Sequence, residues 1–179
     1  MIRLPRRPLF WSLLPMLTGF ASDGWSVAPS ESQVKVAYLY QFTKFVTWPD
    51  DAFPHANAPF GLCILGDASQ LPLFAPLRKK SVQGHPIDIR FPEGTETLHA
   101  CHLLYITWNE GRRIPELLEA VRDKPVLTIA DDPDFNALGG MIRFLRFKEH
   151  LRFSIRTEPA QRAGLTIHAT LLEVSHGTR

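Results

Sequence analysis

Two adjacent glycines, Gly139 and Gly140, stand between an acidic stretch, Asp131, Asp132 and Asp134, and the dense run Met141-Ile142-Arg143-Phe144-Leu145. A glycine-rich turn cradles phosphate when a helix follows it and points its free amide groups at the anion. Here the pattern after Gly140 is that of a strand. Neither GxxxxGK followed by Ser or Thr nor GxGxxG occurs. The account that fits is a backbone one, positive φ and close packing at a strand entrance. The aspartates offer the oxygen ligands of a calcium or magnesium site but lack the spacing and final glutamate of an EF-hand. They read as a polar turn. Asp131 nevertheless follows a strand end, where open α/β sheets place ligands. Asp131, Gly139 and Gly140 are therefore carried forward as a structural loop or a ligand site.

The other reactive side chains offer less. Cys63 and Cys101 are the only cysteines. They are too far apart for a CxxC motif and too few for a zinc site. In an exported chain an even count points to a disulfide, with two inert buried thiols as the alternative. His55, His85, His99, His150, His168 and His176 show no HxxxH spacing, and Cys101 and His102 are neighbours that a strand would turn to opposite faces. GxSxG is absent, and no serine has a visible histidine and acid partner. The expectation is a protein that is not an enzyme, with no cofactor and no metal.

The elements that must carry these residues read as an α/β sheet. Ser30 or Ser32 caps a helix rich in aromatics, Tyr38, Tyr40, Phe42 and Phe45, which Pro49 should end near Thr47. Its wide apolar face needs the protein's own core or a partner surface. The uninterrupted apolar run at 60–66 is a strand covered on both faces, and 101–107 and 125–130 read as two more buried strands. "HPIDIRF" alternates as a half-buried strand does. Helical stretches lie between, at 67–77 and 110–122. "MIRFLRF" and "LRFSIR" form an antiparallel hairpin, and 159–175 closes the chain as one helix. Strands alternating with helices imply right-handed parallel crossovers. The expected fold is one three-layer α/β domain with a mostly parallel, flavodoxin- or Rossmann-like sheet, a C-terminal hairpin and a closing helix. In such an order the first strand lies between the second and third, which brings Cys63 within bridging reach of Cys101.

The N-terminus has a basic region, Arg3, Arg6 and Arg7, then an apolar run from Leu9 to Leu17, then Gly19 and Ala21 at the −3 and −1 positions of a cleavage site. That is the plan of a secretory signal, with an uncleaved anchor as the alternative. The expected organisation is a signal peptide at 1–21, a leader at 22–30, the domain at 31–175 and a tail at 176–179. The chain has 20 basic and 18 acidic residues. Three of the basic ones lie in the signal and none of the acidic ones do, so the mature chain carries 17 basic against 18 acidic residues, a net −1. Nucleic-acid binding, which relies on clustered positive charge, is not expected.

Five segments in register, "KVAYLYQFTKFVTWP", "LCILGD", "ACHLLYIT", "PVLTIADDPDFNALGGMIRFL" and "LRFSIRTEPAQRAGLTIHATLLEVS", resemble the YfiR family of periplasmic proteins over residues 31–175. The resemblance implies regulation rather than catalysis. The chain would hold an inner-membrane diguanylate cyclase inactive by binding its periplasmic sensor region. An outer-membrane lipoprotein that sequesters the repressor would relieve this and raise cyclic di-GMP, favouring biofilm growth. A homodimer is left open. A periplasmic small-ligand receptor, using the cleft at the strand C-terminal ends, is the competing reading. The best-described relative has two cysteine pairs; Cys63 and Cys101 can form only one here, so no redox role of a second pair carries over. Phe42, Phe45, Trp48 and Arg143 are the expected partner contacts, since aromatic and Arg side chains anchor such interfaces.

Overall fold

The computed structural model describes residues 28–175. The expected signal peptide at 1–21, most of the leader and the tail at 176–179 lie outside the described residues.

Helix α1 spans Glu31–Phe42 and begins in a capping box. The Ser30 hydroxyl accepts from the Gln33 amide at 3.3 Å, and the Gln33 side chain accepts from the Ser30 amide at 2.8 Å. These bonds satisfy two amide groups that the first turn leaves open. The helix stops five residues short of Thr47. The Thr43 hydroxyl donates to the Tyr40 carbonyl at 2.7 Å, and Val46–Thr47 leave the helix as strand β1.

Six further strands follow: β2 (Phe60–Leu65), β3 (Ser81–Val82), β4 (His85–Arg90), β5 (Leu103–Ile106), β6 (Leu127–Ala130) and β7 (Ile142–Phe147), and the last is paired with β8 (His150–Ile155). The stretch after β2 is a short α2 (Leu71–Phe74) flanked by 3₁₀ turns, and α3 spans Ile114–Ala120. The main sheet has the order β3-β4-β2-β5-β6-β7-β8. Its parallel centre, β4-β2-β5-β6-β7, has the second-first-third-fourth-fifth order of flavodoxin-like sheets. Antiparallel β3 and β8 occupy the two edges. The expected class of fold is therefore the one observed.

The expected closing helix is not one helix. It divides into α4 (Thr157–Arg162), β9 (Thr166–Ile167) and α5 (Ala169–Glu173). Gly164, at φ +73°, takes the left-handed conformation that ends α4. The Leu165 amide returns to the Ala160 carbonyl at 2.9 Å and the Gly164 amide to the Gln161 carbonyl at 3.0 Å, the paired bonds of a Schellman cap. The freed segment pairs antiparallel with β1, Val46 opposite Ile167 and Thr47 opposite Thr166.

Alternation along the strands sorts the core into two layers. Leu62, Ile64, Leu103, Leu127, Ile129, Ile142 and Phe144 face α1, where Leu39 and Phe42 are fully buried. Cys63, Leu65, Leu104, Ile106 and Ala130 face α3 and Phe135.

Both glycine questions have a backbone answer. Gly139 has φ +100°. A Cβ on Gly140 would lie 2.3 Å from the buried Phe135 ring. Asp132 and Asp134 form a polar turn, with the Asp134 amide donating to the Asp132 carboxylate at 2.8 Å.

Candidate functional site

The layer that covers the α3 side of the sheet ends at β6. No residue of β7 or β8 belongs to it. The hairpin register puts Arg143 opposite Ser154, Leu145 opposite Arg152 and Phe147 opposite His150. These side chains share the face turned away from α1. Ser154 is buried, Arg143 and Leu145 are half-buried, and Phe147, His150 and Arg152 are exposed. The tip turns through Lys148 and Glu149 at φ 45° and 62°. Lys148 stands over the Phe147 ring at 5.4 Å. The result is a basic, partly apolar ledge with no helix over it among the described residues. At its root the Arg143 guanidinium donates to the Pro133 carbonyl, while its buried Nε has no partner among the described residues.

The other face of the hairpin borders a charged cleft at the C-terminal strand ends. Lys35 of α1 bonds Asp131 at 2.7 Å and Glu31 at 2.8 Å. Arg146 bonds the same Glu31. The Tyr105 hydroxyl donates to Asp131, 3.3 Å from each carboxylate oxygen. Burial would push the Lys35 ammonium down, but its bonds to Asp131 and Glu31 outweigh this and hold it above its ordinary value. Bonds from Lys35 and then Arg146 hold Glu31 below the usual carboxylate range. Burial, reinforced by Asp131, pushes the Tyr105 phenol up. A cavity of about 180 Å³ opens beside the pair, lined by Gln70, Phe74, Tyr105 and Thr107. Asp131 thus holds a cation and a phenol in place, an electrostatic role that the sequence did not reveal.

Of the aromatic contacts expected from sequence, two are corrected. Phe42 is 0% and Trp48 2% exposed. Phe42 packs on Phe144 and Phe153, and the Trp48 indole donates to the His102 carbonyl at 3.0 Å. They are core and cannot meet a partner. Phe45 is half-buried against the same core. Arg143 is the expected contact that lies on the ledge.

Cys63 and Cys101 form a disulfide with Cα atoms 5.7 Å apart. Cys101 lies two residues before β5 rather than in it. Gly61 makes room for that crossing, since a Cβ there would stand 2.1 Å from the Ala100 carbonyl oxygen. His102 packs on the opposite face, against Phe53 and Phe60. Its Nδ1 accepts from the Gly61 amide at 2.9 Å, and its Nε2 faces the Ala52 carbonyl at 3.0 Å. An N–H on one side and a carbonyl on the other leave one tautomer, protonated at Nε2. Phe53 stacks on this ring at 4.4 Å and on His85 at 3.6 Å. The segment Ala52–Phe53 is thereby clamped to the sheet.

Burial lowers the His102 pKa; the Ala52 bond opposes this, while the nearby His85 and Arg90 add to it. The unfolded chain therefore takes up a proton that the folded one refuses. The neutral ring's contribution is complete above an unfolded pKa of ~6.5 and is lost as pH falls towards the folded value. Melting curves from neutral to mildly acid pH should show a steeper loss of stability for the parent chain than for His102→Gln. Parallel curves would remove His102 from the acid response.

Among the described residues, no helix is long and apolar enough to cross a membrane, and no three His, Cys, Asp or Glu side chains are grouped to hold a metal. Strand order and a single disulfide define a one-domain α/β protein with a mostly parallel sheet. Residues 32–176 match the YfiR/HmsC-like family, and the chain belongs to that family. A comparison with curated proteins gave no match.

Proposed function

We propose that this chain is an exported, non-catalytic regulator that binds the periplasmic sensor region of an inner-membrane diguanylate cyclase and holds it inactive. Cyclic di-GMP output then falls while the complex persists, and an outer-membrane lipoprotein that competes for the chain restores it. The observation that carries this reading is the uncovered ledge of β7 and β8. Arg143, Leu145, Phe147, His150 and Arg152 combine cations with apolar area, the composition of interface anchors. Family membership supports the regulatory reading, and the disulfide and the secretory plan of the N-terminus support an oxidising compartment.

The test is a pull-down from membranes with the mature chain as bait, followed by titration of the purified periplasmic segment so identified. Arg152 and His150 are exposed, so Arg152→Glu and His150→Glu leave the core intact. Each should weaken binding about tenfold, the equivalent of ~1.4 kcal/mol. Arg78→Glu, an exposed charge before β3, should have no effect. Unchanged affinity in the ledge variants sinks the surface assignment. Failure to retain any cyclase sinks the function.

A further inference from the structure

A groove lies at the other end of the hairpin, where Met141 enters β7 and Arg156 leaves β8. Its volume is about 440 Å³, within the ~300–1,000 Å³ of small-molecule sites. The floor is apolar, formed by Leu118 and Val121 at the end of α3 and by Met141. Leu138, 46% exposed, forms one lip. Three guanidiniums, those of Arg122, Arg156 and Arg162, line it against two carboxylates, those of Asp123 and Glu158.

The carboxylates do not hold two of these arginines tightly. Arg156 Nε is 3.4 Å from Glu158, and its Nη1 is 3.3 Å from the Asn136 carbonyl. Arg162 Nε is 3.7 Å from Asp123. A well-made charge-assisted N–H···O bond is ~2.7–2.9 Å long. Arg156 and Arg162 thus retain donors for a better acceptor, and the acceptor would sit over hydrocarbon. Asp123 and Gly139, which both line the groove, have φ 55° and +100°.

We propose that this groove binds a small organic anion with an apolar body, its carboxylate or sulfonate on Arg156 and Arg162 and its hydrocarbon on Leu118, Val121 and Met141. Because the groove lies at the root of the hairpin whose ledge is assigned to the partner, the ligand acts as an effector of partner binding. That second half rests on the proposed function; the binding site does not.

The probe is 1-anilinonaphthalene-8-sulfonate, titrated by fluorescence into the native, disulfide-intact mature chain. A single saturable site is expected, displaced by octanoate and not by octanol. The double variant Arg156→Gln/Arg162→Gln should weaken the probe at least about tenfold, or ~1.4 kcal/mol. Glu158→Gln should strengthen it, because it frees Arg156. Leu138→Asp, at an exposed lip, should weaken it without loss of melting temperature. Parent-like affinity in the double variant, or equal displacement by octanol, overturns the site. Saturating octanoate should also shift the affinity of the purified partner segment. A probe site that behaves as described while partner affinity stays constant overturns the effector role alone. Absence of any partner leaves the groove standing and removes the regulator.

Discussion

Reduction of the Cys63–Cys101 bond, or the pair Cys63→Ala/Cys101→Ala, lowers the melting temperature by roughly 10 °C. The bond joins residues 38 apart in the chain. Closing a loop of that length removes chain entropy from the unfolded state worth ~4 kcal/mol, against a typical domain stability of ~5–15 kcal/mol. The two residues are 1% and 3% exposed, so the native bond meets reductants only when the chain opens. Calorimetry of the oxidised and reduced chain checks the size of the effect. A melting temperature that does not move means that the crossing of Ala100 over Gly61 holds unaided. Affinity for the partner, measured well below both melting temperatures, should be unchanged. If reduction abolishes binding in a chain that remains folded, the bond is a switch.

Asp131→Ala costs ~3 kcal/mol, because two buried or half-buried donors lose their acceptor at once. The Lys35 ammonium keeps Glu31 but loses its 2.7 Å bond, and the Tyr105 hydroxyl, in a residue 6% exposed, loses its acceptor. Asp131→Asn retains a carbonyl for both donors and should recover more than half of the loss. Chemical denaturation of the two variants gives the comparison. Tyr105→Phe in each background then completes a cycle, whose coupling vanishes if the phenol and carboxylate are independent. The cluster also has a pH signature. Glu31 is depressed in the folded state, so its contribution is present above the unfolded carboxylate value of ~4.3 and is lost as pH falls through its folded value. Lys35 is raised, so its contribution is complete below ~10.4 and is lost as pH rises through its folded value. Lys35→Met should flatten both limbs of the stability curve.

The sheet was legible because its signals are local. The runs at β2 and β5 are apolar throughout and β6 carries a single threonine, the composition of strands covered on both faces. The hairpin was legible from two alternating runs about a polar turn. The ends of α1 and α4 were not. Val46–Thr47 and Thr166–Ile167 continue helical patterns in sequence, and what withdraws them is their pairing with each other, a contact that no window of residues contains. The burial of Phe42 and Trp48 was hidden for a related reason. Aromatic density marks a surface that needs a partner and does not say whether the sheet or another protein supplies it. Lys35 and Asp131 lie 96 positions apart and meet only once α1 crosses the strand ends. His102 carried a single cue, its place beside Cys101, and its clamp on Ala52 and Phe53 depends on the crossing at Gly61.

The small β1–β9 sheet has a consequence in time. The Thr47 hydroxyl meets the His168 ring across 121 residues of chain, and the His168 amide donates to the Phe45 carbonyl at 2.9 Å. The end of the first helix is therefore completed by residues made 121 positions later. A chain still emerging from the ribosome lacks its final strand, so it cannot lock this junction, and contacts of such separation form slowly. This junction between the first helix and the end of the domain therefore closes only after residues 166–168 have been made.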